Sequence, residues 1–134
     1  MLKHNKTYLG TYAHDRIKPI PLDKSSSQII NLHKSNQPGS HFVCYFNDVK
    51  KDTIYYFDSY GIVASDAIQK ALRSTKKKII YNTSKIQDNV SNRCGFYCYA
   101  FIEYLGNGGS MLDFVNMFNH KGKTNDKILM RLIM

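Results

Sequence analysis

Apolar residues cluster in short dense runs up to residue 58 and recur mostly at helical spacing beyond it. Ser27-Gln28-Ile29-Ile30-Asn31-Leu32 is a short strand-like run, closed by the turn-rich segment Lys34-Ser35-Asn36-Gln37-Pro38-Gly39-Ser40. His41-Phe42-Val43-Cys44-Tyr45-Phe46 and Thr53-Ile54-Tyr55-Tyr56-Phe57-Asp58 are dense in aromatic and β-branched residues, with polar residues from Asn47 to Asp52 between them. That pattern predicts an antiparallel hairpin. In such a pair the first residue of one strand and the last of the next lie at the same end, so His41 and Asp58 are placed to meet.

Beyond Ser59-Tyr60-Gly61, Ser65 is a suitable N-cap for a helix whose apolar face is Ala67, Ile68, Ala71 and Leu72. Lys78-Ile79-Ile80-Tyr81-Asn82 predicts a further strand, and Thr83 to Arg93, with Asn89 and Asn92, predicts a polar loop. A helix should begin at Cys94, because Phe96, Tyr97, Ala100, Phe101, Tyr104 and Leu105 are helically spaced and Gly106-Asn107-Gly108-Gly109 ends the pattern. Ser110-Met111-Leu112-Asp113 resembles a capping box and opens a helix with Leu112, Val115 and Phe118 on its apolar face. The tail from Asn125 to Met134, with Ile128, Leu129, Leu132 and Ile133, predicts a last docking helix.

Composition narrows the class. With 134 residues, 43% of them apolar, and no Pro/Gly/Ser-rich linker, the expectation is one domain spanning 1–134. No stretch approaches the roughly 20 apolar residues of a membrane helix, and Met1 to Lys6 does not lead into an apolar signal segment. A soluble, intracellular protein without membrane partners is expected. Three cysteines cannot all pair, and Cys94-x-x-x-Cys98 lacks the second ligand pair of a structural zinc site. Cys44 and Cys98 read as small buried apolar residues. Nineteen basic against ten acidic residues give a net charge of +9, with runs at Lys50-Lys51, Lys76-Lys77-Lys78 and Lys121-x-Lys123. Such runs suit phosphates or an acidic partner as well as they suit a solvated surface.

The candidate chemistry is nucleophilic. A cysteine nucleophile needs a thiolate, a base that later donates its proton, an acid that orients the base, and donors for the oxyanion. Cys94 at a helix start would have its thiolate favoured by unpaired backbone N–H groups. Gly95 would leave room for substrate backbone. His41 would exchange the proton, Asp58 would fix its tautomer, and the Gln87 amide with the Cys94 backbone N–H would form an oxyanion hole worth roughly 3 kcal/mol per donor. His4, His14, His33 and His120 have no such setting, since none starts a strand paired with one that ends in an acid.

Four segments in this order resemble the adenovirus-type cysteine endopeptidases and their virophage and Polinton-type maturation relatives, within the clan of the ubiquitin-like-protein-specific proteases. They are Gly10-Thr11-Tyr12; Ile29-Ile30-Asn31-Leu32 with Gly39-Ser40-His41-Phe42-Val43; Tyr56-Phe57-Asp58-Ser59-Tyr60-Gly61; and Gln87 with Asn92-Arg93-Cys94-Gly95-Phe96-Tyr97-Cys98. The resemblance implies an α+β papain-like core, permuted to the order His, Asp, Cys, with a mixed or antiparallel central sheet flanked by helices. It implies His41, Asp58 and Cys94 as catalytic residues and Gln87 as oxyanion donor. It also implies a protease that cuts viral capsid or core precursor proteins during particle maturation, in the virus factory or nucleus, and is packaged in the virion. The chemistry itself requires no cofactor. The adenovirus enzymes are activated by DNA and by a viral peptide, and no cysteine here aligns with the one that holds the peptide. The family usually has Trp after the histidine, where this chain has Phe42. Two other readings stand beside this one: an isopeptidase acting on ubiquitin or SUMO-type modifiers, with the same site residues, and a noncatalytic basic DNA-binding protein.

Overall fold

The computed structural model describes residues 5–32, 41–87, 93–118 and 122–133. The turn expected at 34–40, His4, His33, His120, Asn89, Asn92 and Lys121 lie outside them. The elements run β1 (Tyr8–Ala13), β2 (Ser26–Asn31), β3 (Phe42–Asp48), β4 (Thr53–Phe57), α1 (Asp66–Arg73), β5 (Lys78–Tyr81), α2 (Cys94–Gly106), α3 (Met111–Met117) and α4 (Gly122–Ile133). The five strands form one sheet in chain order. Its centre, β2-β3-β4, is antiparallel, while β1 pairs parallel with β2 and β5 parallel with β4.

Strand β3 is buried on both faces, which is why its sequence reads as a continuous apolar run. The twofold alternation of a strand sends Val43 and Tyr45 one way and Cys44 and Phe46 the other. Val43 and Tyr45 join Ile30, Ile54 and Tyr56 under Ile68 and Leu72 of α1. Cys44 and Phe46 join Ile29 and Phe57 under α2, α3 and α4, through Tyr97, Cys98, Phe101, Ile102, Phe114 and Leu129. The molecule is therefore α1, sheet and three helices in layers. α1 crosses over between the parallel strands β4 and β5.

Capping residues set the helix starts as expected. The Ser65 hydroxyl accepts the Ile68 N–H, and the Ser110 hydroxyl accepts the Asp113 N–H. The phase of α3 differs from expectation: Leu112 is 69% exposed, and Met111 and Phe114 turn inward. Phe114 decides this, because it meets Phe57, Phe101 and Phe118 in one aromatic cluster. Phe96 and Leu132, also expected on apolar faces, are 48% and 45% exposed. Among the described residues no helix is long and apolar enough to cross a membrane.

Phe101, fully buried, belongs to that cluster, stacked on Phe57 at 4.8 Å and edge-on to Phe114 at 5.4 Å. Phe101→Ala should cost about 3–5 kcal/mol in urea denaturation. Leu132→Ala, on the exposed side of α4, should change stability by under about 0.5 kcal/mol. Equal effects would contradict this placement of the core.

Candidate active site

The site is assembled where the β3–β4 hairpin meets the start of α2. The antiparallel ladder pairs Cys44 with Phe57, so the chain leaving β4 after Phe57 and the chain entering β3 before Phe42 lie at the same end of the sheet. His41 immediately precedes β3 and Asp58 immediately follows β4. The His41 Nε2–H donates to Asp58 Oδ1 at 2.9 Å. Asp58 is almost wholly buried, and the histidine side chain is 17% exposed.

A four-residue turn shapes the acid's surroundings. The Gly61 N–H donates to the Asp58 carbonyl, and the Tyr60 N–H donates to Asp58 Oδ1, both closing the turn on itself. Gly61 sits at φ +69°, where a Cβ would lie 2.8 Å from the Thr83 carbonyl, so only glycine fits. Asn82, directly after β5, pins the same turn: its Oδ1 accepts the Asp58 N–H at 2.9 Å, and its Nδ2 donates to the Asp58 carbonyl at 2.6 Å. The turn also sets the Tyr60 ring on the His41 ring, with centroids 4.7 Å apart and planes inclined by 26°. The Lys85 ammonium lies 5.8 Å from the centre of the Tyr60 ring.

Cys94 is the first residue of α2, and the preceding Arg93 supplies no side-chain cap. The positive end of the helix dipole thus falls on the thiol. The Phe42 backbone N–H donates to Cys94 Sγ at 3.4 Å, joining the helix start to the strand that begins after His41. A Cβ on Gly95 would make ordinary contact with the Phe42 ring at 3.6 Å.

Cys94 and His41 alter each other's proton affinity. Burial opposes charge on the imidazole, but hydrogen bonding to Asp58 and the neighbouring Cys94 thiol outweigh it and push His41 up to about 9. Burial likewise disfavours the thiolate, yet His41 and the Phe42 N–H hold Cys94 below the ordinary thiol value. His41 Nδ1 is buried and makes no hydrogen bond of normal geometry. The Cys94 thiol is a polar neighbour of the same ring. The result is a thiol biased toward thiolate beside an imidazole biased toward imidazolium, a pair suited to attack carbonyl carbon. Cys98 is the reverse: complete burial raises its thiol well above the ordinary value.

Gln87 is 1% exposed. The Ser59 hydroxyl is hydrogen-bonded to Gln87 Oε1, and the Ser59 carbonyl accepts the N–H groups of both Ile86 and Gln87. Among the described residues no group of three or more His, Cys, Asp or Glu side chains is placed to hold a metal ion.

No family model matches the chain. A protein of Acanthamoeba polyphaga mimivirus named as a thiol protease, R355, is 32% identical over 83 residues, covering 55% of this chain and 28% of its own length. Among solved structures, the ASFV pS273R protease superposes with a TM-score of 0.62 at 18% identity, covering 81% of this chain and 43% of that one. ChlaDub1 from Chlamydia trachomatis gives 0.57 at 15% identity, covering 81% of this chain and 59% of that one. The SUMO protease Ulp1 gives 0.51 at 20%, covering 81% and 49%. This is the ASFV protease and Ulp1 fold. The chain spans about half the length of those solved structures and just over a quarter of the mimivirus relative.

Within this cysteine-protease fold the four residues singled out by sequence occupy one region: His41 and Asp58 in contact, Cys94 beside the imidazole, and Gln87 tied to the residue after Asp58. Sequence reasoning missed the Phe42 backbone donor, the Asn82 clamp and the Tyr60 stack. Tyr60 and the glycine after it were visible as a motif, but a ring stacked across a hairpin leaves no periodic trace.

Iodoacetamide near neutral pH should label Cys94 at least about tenfold faster than Cys44 or Cys98, since reaction follows thiolate fraction and access. Peptide mapping by mass spectrometry checks this. Equal labelling of the three thiols would contradict the electrostatics described.

Proposed function

We propose that this chain is a cysteine endopeptidase that processes viral capsid or core precursor proteins, with Cys94, His41 and Asp58 as catalytic residues and Gln87 as oxyanion donor. The observation that carries the reading is the convergence of thiol, imidazole and carboxylate from three separate elements, with Cys94 lowered and His41 raised in proton affinity. The viral assignment draws on the mimivirus relative and on the likeness to the ASFV enzyme.

The Cys94 thiolate attacks the scissile carbonyl carbon, forming a C–S bond and an oxyanion. The backbone N–H of Cys94 and the amide of Gln87 receive that oxyanion. The His41 imidazolium gives its proton to the departing amine as the C–N bond breaks, leaving a thioester. Neutral His41 then takes a proton from water as its oxygen bonds to the acyl carbon. Loss of the thiolate restores the starting pair. Asp58 stays ionised throughout and holds the ring. His41 carries the protons between thiol, amine and water, and no step of this sequence calls on a cofactor. A net charge of +9 would suit work beside packaged DNA in the virus factory or nucleus and in the virion, with DNA or a viral peptide as activator.

The likeness to Ulp1, a SUMO protease, favours a second reading, removal of a ubiquitin-like modifier by the same residues. Incubating the protein with the structural proteins encoded beside its gene, and separately with a SUMO adduct, then sequencing the new termini, tells the two apart. New termini in the structural proteins, absent with Cys94→Ala, support the endopeptidase. Cleavage of the adduct alone would replace it with the isopeptidase, and no cleavage of either would remove both.

Catalysis needs thiolate and imidazolium together, so kcat/KM should rise as pH climbs through the lowered Cys94 value and fall as His41 loses its proton near about 9. Asp58→Asn removes a charge that favours imidazolium, so the alkaline limb should move to lower pH and kcat should fall by about 100-fold or more. An alkaline limb that stays in place would show that Asp58 does not hold the His41 proton.

A further inference from the structure

Gln87 is held more thoroughly than a loop side chain needs to be, and the groups that hold it come from two distant parts of the chain. The peptide plane joining Ile86 to Gln87 is fixed at both ends. Its N–H, that of Gln87, donates to the Ser59 carbonyl at 2.9 Å, and its C=O, that of Ile86, accepts from Asn125 Nδ2 at 2.9 Å. The Ile86 N–H shares the same Ser59 carbonyl at 2.8 Å. At the tip of the side chain, the Ser59 hydroxyl sits on Gln87 Oε1. With the oxygen end of the amide engaged, the nitrogen end is directed away from Ser59 as the donating end. Ser59 and Asn125 are both fully buried, so water does not compete for these bonds.

Both holders are also tied to the rest of the site. Ser59 directly follows Asp58, so the turn that presents the carboxylate to His41 presents a hydroxyl to Gln87 with the next residue. Asn125 lies in α4 next to Asp126, whose Oδ1 accepts the Tyr97 hydroxyl at 2.7 Å and whose Oδ2 lies 3.8 Å from Arg93 Nε. Arg93 and Tyr97 flank Cys94 at the start of α2. α4 therefore grips the Gln87 loop and the nucleophile helix with adjacent residues.

We propose that Ser59 and Asn125 are positioning residues for Gln87, fixing its peptide plane and amide so that α4 sets the oxyanion donor relative to Cys94. The proposal rests on the endopeptidase reading for what Gln87 does, and on the contacts alone for how Gln87 is held. Neither residue touches substrate. Their loss should weaken transition-state stabilisation while leaving the thiolate as it was.

Two measurements on Ser59→Ala and Asn125→Ala test this. With glutamine labelled by ¹⁵N at the side-chain amide, the Gln87 signal is assigned by its disappearance in Gln87→Ala. It should lie away from the position of a solvated amide in the parent protein and move toward that position in both variants. In turnover, kcat should fall by about 10- to 100-fold with KM little changed, the range expected when an oxyanion donor is misplaced but not removed. The rate of Cys94 alkylation should stay within about twofold of the parent. Combining Ser59→Ala with Gln87→Ala should cost no more than Gln87→Ala alone.

An unmoved amide signal in both variants overturns the proposal, whatever the turnover. So does a loss of alkylation in step with kcat, because the two residues would then act on the nucleophile. Should Asn125→Ala fail to fold, Ser59→Ala carries the test, since it removes one oxygen and leaves the backbone bonds. A parent protein that cleaves nothing while the amide signals move as expected would bring down the endopeptidase reading, and the catalytic part of this proposal with it, leaving the contacts themselves intact.

Discussion

The register of the β3–β4 ladder is the constraint on which the site depends. A shift of one residue would send Val43 and Tyr45 into the layer now filled by Cys44 and Phe46, against α2 instead of α1. Because β3 is buried on both faces, neither set can be displaced without emptying part of a core. The same register decides which residues emerge together at the end of the hairpin. His41 and Asp58 meet because core packing a few residues away leaves them no alternative alignment. The precision of the acid–base pair is thus inherited from apolar packing.

Charge at this site is sustained against burial by neighbours on several sides. Asp58 Oδ1 receives the His41 N–H and the Tyr60 N–H, so its negative charge is spread over two donors. The imidazole has the carboxylate at its Nε2 edge and the Tyr60 ring against its face. An aromatic face attracts a cation, so the stack favours the protonated ring on the side that Asp58 does not reach. The thiol gains a backbone donor from Phe42 and the end of a helix. No single contact overcomes desolvation. Asp58 and the thiol together reverse its sign for His41, and His41 with the Phe42 and Gly95 N–H groups does so for Cys94, whereas Cys98, one helical turn on, goes the other way.

Much of this was legible in sequence where local pattern dictates structure. The runs at 41–46 and 53–58 and the helix starts at Ser65, Cys94 and Ser110 follow from periodicity and capping, and they place His41 and Asp58 beside the two hairpin strands and Cys94 at the head of α2. β1 was not legible as a strand. It is an edge strand with an irregular register between Tyr8 and Thr11, and Gly10 within it sits at φ +136°, so its sequence lacks clean alternation. The inward face of α3 was misjudged because spacing alone cannot tell which phase an aromatic cluster will select. Asn82 and Asn125 were invisible for a different reason: a buried amide that clamps a distant turn has no signature in its neighbours, since its partners lie 24 and 39 residues away.

The replacement of the resembling family's Trp by Phe42 loses an indole N–H, and the geometry shows why the thiol need not lose its support. The residue after the histidine contributes to the thiol through its backbone, and the Phe42 N–H reaches Cys94 Sγ whatever ring follows. The ring has a separate task. It packs at the edge of the main core and lies over Gly95, where it covers the first turn of α2 without a polar atom to satisfy. Substitution at this position therefore changes what covers the start of α2 while leaving the donor to sulfur in place, because that donor belongs to the strand. A backbone group fixed by a ladder buried on both faces is harder to remove by mutation than any side chain, and the nucleophile leans on one.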